Sequence, residues 1–186
     1  MPISNFAITQ KKIQDSFMEF YANREIHEIT IQMICKKVGI ARTTFYNYYS
    51  DIYELLETIE DEFINHLKSL NRTFELVNFQ IYKEPFGQPF NYFYETLEFI
   101  RENGPYFRTF LNKNGQFIYK WKKIIKDDFR KKYKYEKISL TNMDLVLEMI
   151  VSGVIGSYTY WGNHLEEITI SEVSEVLYKL CKDFIR

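Results

Sequence analysis

The stretch Thr30 to Ser50, TIQMICKKVGIARTTFYNYYS, constrains the fold more than any other part of the chain. Ile31, Ile34, Cys35 and Val38 fall at i, i+3, i+4 and i+7 and form one apolar helical stripe. Thr30 stands where it can cap that helix, and Gly39 where a helix leaves in a left-handed conformation. After Ile40 and Ala41 the spacing predicts a second short helix. Phe45 and Tyr49 share its inward face, while Arg42, Thr43, Tyr46 and Asn47 can point outward. Helix, glycine turn and helix with a polar, aromatic outer face form the pattern of a DNA-binding helix-turn-helix.

The neighbouring sequence supplies a scaffold for that stretch. Thr9 to Asn23 reads as a first helix with Ile13, Phe17, Phe20 and Tyr21 on one face; Lys11 and Lys12 lie in its first turns. Asp51-x-x-Glu54 looks like a capping box opening a long helix. Ile52, Leu55, Leu56, Ile59, Phe63, Leu67 and Leu70 keep one face of it apolar. At about 1.5 Å per residue, Ile52 to Asn71 spans roughly 30 Å, enough to lead from a small bundle into a second domain. Phe79 to Pro89, with two prolines and a glycine, reads as a loop.

From Phe90 onward the period is helical throughout. Phe90–Asn103 is one helix, broken by Gly104-Pro105, and Tyr106, Phe107, Phe110 and Leu111 continue a short apolar segment. Phe117–Lys134 is a basic helix, Leu140–Trp161 is apolar on nearly every side, and Val173, Val176, Leu177, Leu180 and Phe184 stripe the last helix. The expectation is an all-α chain of about nine helices, divided into a DNA-binding domain over residues 1–50 and a helical domain over 51–186. Four prolines and seven glycines in 186 residues fit long helices better than many short strands.

Net charge is −1, but its distribution is uneven: +2 over residues 1–50, −6 over 51–110, +7 over 111–137 and −4 over 138–186. The DNA-binding candidate is thus only mildly basic, and Lys120 to Lys137 reads as a solvated face, with a second polyanion-binding site as the alternative. No signal peptide precedes the first charged segment, and Met149 to Leu165 is shorter than the roughly 20 residues a membrane span needs. With Cys35 and Cys181 each on an apolar stripe, the expectation is a cytoplasmic protein with two buried free thiols and no membrane partner. His27, His66 and His164 are scattered, none at metal-ligand spacing, and there is no Gly-rich phosphate loop or nucleophile motif. The sequence therefore points to no catalytic residue, no metal and no cofactor, and away from an enzyme.

Residues 9–56 resemble the N-terminal domain of the TetR/AcrR-type transcriptional regulators. The resemblance lies in the first helix, Ile29-Thr30-Ile31, Cys35-Lys36-Lys37-Val38-Gly39-Ile40, Thr44-Phe45-Tyr46-Asn47-Tyr48-Tyr49 and Leu55-Leu56. Glu102-Asn103 and Tyr160-Trp161-Gly162 are similar to a subgroup that includes regulators of dihydroxyacetone-kinase operons. The resemblance implies a cytoplasmic homodimer that binds double-stranded operator DNA, most often as a repressor, under control of a small molecule. It places Thr30 and Tyr48 on phosphates and Arg42, Thr43, Tyr46 and Asn47 in the major groove, with Thr44 in the same DNA-binding set. Arg can reach guanine O6 and N7, Asn an adenine edge and Thr a thymine methyl. Two positions depart from the family pattern: Ala41 replaces a capping Ser, and Ile52 replaces a phosphate-binding Lys. A protein–protein adaptor on the same scaffold, without independent DNA binding, is the alternative.

Two further expectations concern the C-terminal part. Phe93, Phe107, Phe110, Phe117, Trp121 and Tyr158 are candidates to line a pocket for a small apolar or aromatic effector, although most aromatics here should be core. The Leu140–Trp161 helix is too apolar to have a solvated face, so one side should meet a second copy. Ser152, Gly153, Gly156 and Ser157 give it a patch of small residues, and Met149 and Tyr160 flank them. Val173, Leu177 and Leu180 of the last helix complete the expected four-helix interface.

Overall fold

The computed structural model describes residues 5–70, 91–135, 137, 139 and 141–183. The loop expected over Phe79–Pro89, together with Phe184 and the Cys181 side chain, lies outside the described residues. Among those described, the chain is all-α, as expected. Its helices are α1 (Asn5–Asn23), α2 (Ile31–Val38), α3 (Arg42–Tyr46), α4 (Ile52–Leu70), α5 (Asn91–Glu102), α6 (Gly104–Lys113), α7 (Gly115–Tyr135), α8 (Met143–Gly162) and α9 (Ile170–Asp183). A single 3-10 turn, Ile26–Glu28, precedes α2.

The chain divides into two compact units, residues 1–63 and 64–186. The division falls inside α4. Ile52, Leu55, Ile59 and Phe63 are buried, and Glu62 accepts a hydrogen bond from Gln14 of α1, so the first three turns of α4 are bound into the N-terminal unit. Asp51 caps α4 through Oδ1, which accepts from the amides of Tyr53 and Glu54, each at 2.8 Å. The Glu54 carboxylate reaches one residue beyond the cap, to the Ser50 amide at 2.6 Å. Its pKa is lowered by the Ser50 hydroxyl and amide.

In the N-terminal unit, Ile13, Phe17, Met18 and Tyr21 of α1 are buried with Ile34, Cys35, Phe45 and Tyr49. Helix α1 begins at Asn5, earlier than the apolar period shows, because its first turn carries the exposed Phe6 and Ile8. In the C-terminal unit, α8 packs against α5, α6, α7 and α9, which explains its apolar composition. Leu147, Ile150, Val151, Val154, Ile155, Tyr158 and Trp161 are all buried on it. The Trp161 indole N–H donates to the Ile168 carbonyl at 2.8 Å, tying the end of α8 to the approach to α9. Thr169 and Glu172 form a reciprocal cap at the start of α9, with Thr169 N–H donating to Glu172 Oε2 at 2.8 Å.

Helix α2 ends where its sequence says it must. Gly39 sits at φ 77°, ψ 36°, and its N–H donates to the Cys35 carbonyl at 2.9 Å. A side chain in that left-handed conformation costs roughly 1–2 kcal/mol. Gly39→Ala should therefore destabilise the N-terminal unit by about that amount, and Gly39→Asn by less. Thermal unfolding monitored through the N-terminal unit checks this, and identical curves for wild type and Gly39→Ala would show that the turn does not depend on a glycine.

Candidate nucleic-acid interface

Helix α3 has only five residues, and each one's exposure follows from how its ends are held. Thr30 Oγ accepts from the Met33 amide at 3.3 Å and caps α2, leaving the hydroxyl hydrogen free to donate. Across the Gly39 turn, Ala41 is the N-cap of α3 and offers no side-chain cap. Phe45 is fully buried and Tyr49, just after the helix, nearly so. With that face inward, Arg42, Thr43, Tyr46 and Asn47 are exposed, and Thr44 and Tyr48 are partly exposed. Thr30 is exposed too, at the start of α2. The remaining family departure, Ile52, is buried in the core and offers no cation.

Three supporting interactions were not visible in the sequence. Gln14 of α1 donates through Nε2 to Tyr49 Oη at 3.2 Å and to both Glu62 oxygens at 3.0 and 3.1 Å. Burial raises the pKa of that phenol, so Tyr49 stays neutral at working pH. Arg42 donates from an Nη to Gln32 Oε1 at 3.2 Å, which holds the guanidinium over the outer face. Phe6 stacks on Tyr48 with ring centroids 4.3 Å apart. Only the aromatic type of Phe6 hinted at such a contact; Gln14 and Gln32 carried no signal, since an amide at a helical position is usually solvated. Of the two lysines on α1, Lys11 pairs with Asp15 at 2.9 Å and Lys12 is exposed. Burial also raises the Cys35 thiol pKa, consistent with a thiol that packs rather than reacts.

In the C-terminal unit, the six aromatics expected to line a pocket are buried, none more than 3% exposed. Trp121 and Tyr158 lie parallel at 5.1 Å, Phe110 and Phe117 stack at 4.6 Å, and Phe107 meets both Phe117 and Trp121 edgewise or tilted. Phe93 is buried on α5. A groove of about 450 Å³ lies on α7, lined by Tyr119, Lys122, Lys123, Lys126, Asp127 and Arg130 and by Glu148 of α8. Lys122 Nζ donates to Glu148 Oε1 at 3.3 Å and to Ser152 Oγ at 3.0 Å, and Lys126 pairs with the other Glu148 oxygen. Hydrogen bonds from Lys126, Ser152 and Lys122 hold the Glu148 pKa down to about 2.

The small residues of α8 separate into two kinds. A Cβ on Gly153 would come within 2.9 Å of a Leu180 methyl, so Gly153 is taken up by packing against α9, whereas a Cβ on Gly156 would meet nothing within 4 Å beyond its own helix turn among the described residues. Leu145, Met149, Gly156 and Tyr160 are exposed on one stripe of α8, with the half-buried Ser152 between them and Ser157 alongside. Val173 and Leu177 are buried within their own unit, and α9 exposes Val176 instead.

Comparison with known proteins agrees with this architecture. A TetR-type family model, described as the C-terminal region of transcriptional regulators, matches residues 87–183, more than half of the chain. No curated protein matches. A TetR transcriptional regulator from Streptococcus agalactiae superposes with a TM-score of 0.65 at 17% identity, over 94% of each chain. The dihydroxyacetone kinase operon activator DhaS gives 0.58 at 17% identity, over 95% of this chain and 94% of that one. A TetR-family repressor from Thermus thermophilus, solved in complex with lauroyl-CoA, gives 0.56 at 14% identity, over 94% of this chain and 92% of that one. At these identities each likeness speaks to the fold, and the family match speaks to descent: the chain belongs to the TetR family of transcriptional regulators.

Proposed function

We propose that the chain is a homodimeric, sequence-specific DNA-binding repressor whose hold on its operator is set by a small-molecule effector. The observation that carries this reading is the outward face of α3, where Arg42, Thr43, Tyr46 and Asn47 stand exposed while Phe45 and Tyr49 are buried behind them. A helix presenting a guanidinium, a carboxamide and hydroxyls can read base edges in the major groove. Thr30, Thr44 and Tyr48 lie at its margins, where hydroxyls suit phosphate oxygens. Effector control draws support from the lauroyl-CoA bound to the Thermus thermophilus repressor of the same fold.

The dimer reading rests on the exposed apolar stripe of Leu145, Met149, Gly156 and Tyr160, which a second copy would cover. The uncapped Ala41 and the buried Ile52 favour the competing adaptor reading, because both weaken a DNA grip. DNA fragments shifted by the protein, less so as salt rises, would exclude the adaptor.

Two variant series test the assignment. Arg42→Ala or Asn47→Ala should cost about 1–3 kcal/mol on the preferred site and relax base preference locally, whereas Tyr48→Phe should weaken all sequences alike. If Arg42→Ala bound its site normally, α3 would not be the reading element. A Cβ at Gly156 meets no side chain within 4 Å among the described residues, so Gly156→Leu should fold normally yet sediment as a monomer and lose operator affinity. A variant that stayed dimeric would place the interface on another surface.

A further inference from the structure

The groove on α7 has a charge balance that its own side chains leave open. Arg130 is answered by Asp127 at 3.2 Å and Asp144 at 2.8 Å. Lys122 and Lys126 share the single carboxylate of Glu148, and Lys123 stands exposed with no paired carboxylate among the described residues. The groove thus holds four cations, Lys122, Lys123, Lys126 and Arg130, against two carboxylates, Glu148 and Asp127. Lys122 and Lys126 are also about three-quarters withdrawn from solvent, with side chains 28% and 24% exposed, so their charge is screened less than that of a free surface lysine. Beside them, Ile118 and the exposed ring of Tyr119 supply apolar surface.

We propose that this groove is the binding site for a small phosphorylated molecule, its phosphate group held by Lys122, Lys123 and Lys126 and its organic part laid against Tyr119 and Ile118. A phosphate carries more charge than one carboxylate and needs no fixed direction of approach, which suits three flexible ammonium groups. The volume of about 450 Å³ admits more than a bare phosphate and lies in the range of small-molecule sites. Glu148 then acts as the built-in competitor: in the empty groove it neutralises Lys122 and Lys126, and the ligand draws them away. Because its pKa is about 2, it remains charged at any working pH and competes throughout. The proposal rests on the effector reading above and sets its site in a basic surface groove.

The test is calorimetric titration of the full chain with inorganic pyrophosphate, sodium chloride holding the ionic strength constant. Wild type should bind saturably. Lys123→Gln, at an exposed position without a packing role, should weaken binding about tenfold, and Lys123→Gln with Lys126→Gln further. Glu148→Gln should tighten it about tenfold, an effect that a merely structural glutamate would not produce. Arg42→Ala should bind pyrophosphate as wild type does. No saturable binding, unchanged affinity in both lysine variants, weaker binding in Glu148→Gln, or loss in Arg42→Ala would each overturn the site. Pyrophosphate binding by a protein that shifts no DNA would leave the groove standing and remove the regulator reading instead.

Discussion

A helix of five residues has no stability of its own, and the proposed DNA-reading face depends on what holds α3 in place. That hold is the burial of Phe45 and Tyr49 against the N-terminal core, secured at its far end by the Gln14 hydrogen bonds to Tyr49 and Glu62. Gln14 sits on α1 and Glu62 on α4, so one buried amide ties the first and last helices of the unit to the end of the reading helix. The Gly39 turn fixes the other end. Between these two anchors the chain has little choice about which side chains face outward.

The C-terminal unit is organised around a different constraint: α8 is surrounded by four other helices and still carries more apolar surface than they cover. Its aromatic neighbours are used up in ring-on-ring packing. Among the described residues, α8 presents an exposed apolar stripe on one side and borders a basic groove on another. Glu148 and Met149 are adjacent in sequence, the first in the groove and the second on the stripe. In the proposed scheme a ligand that takes Lys122 and Lys126 from Glu148 acts on the helix that forms the dimer, giving effector and partner one shared element.

The helix-turn-helix was legible because its signals are local. Thr30 as a cap, Gly39 as a left-handed exit, and the spacing of Ile34, Cys35, Phe45 and Tyr49 each have one physical meaning at short range. Less local features were not. The first turn of α1 carries exposed Phe6 and Ile8, so apolar period gave no reason to begin the helix there. The start of α9 is written in Thr169-x-x-Glu172, but that box lies ahead of the apolar stripe that begins at Val173. Small residues on α8 looked alike in sequence, and only the approach of Leu180 separates Gly153 from Gly156. Phe107, Phe117 and Trp121 show the same limit, since a buried aromatic and a pocket aromatic have the same period and composition. The groove was partly visible as the basic run from Lys120 to Lys137, but its character depends on Glu148, a residue on another helix.

The central claim is that two copies of α3 read DNA together across a two-fold axis. Selecting random duplex fragments with the purified full-length protein and sequencing those retained tests it most directly. The account predicts a near-palindromic site whose half-sites lie about one helical turn apart, roughly 34–36 Å. Enrichment of a single asymmetric element, or of no sequence at all, would contradict it.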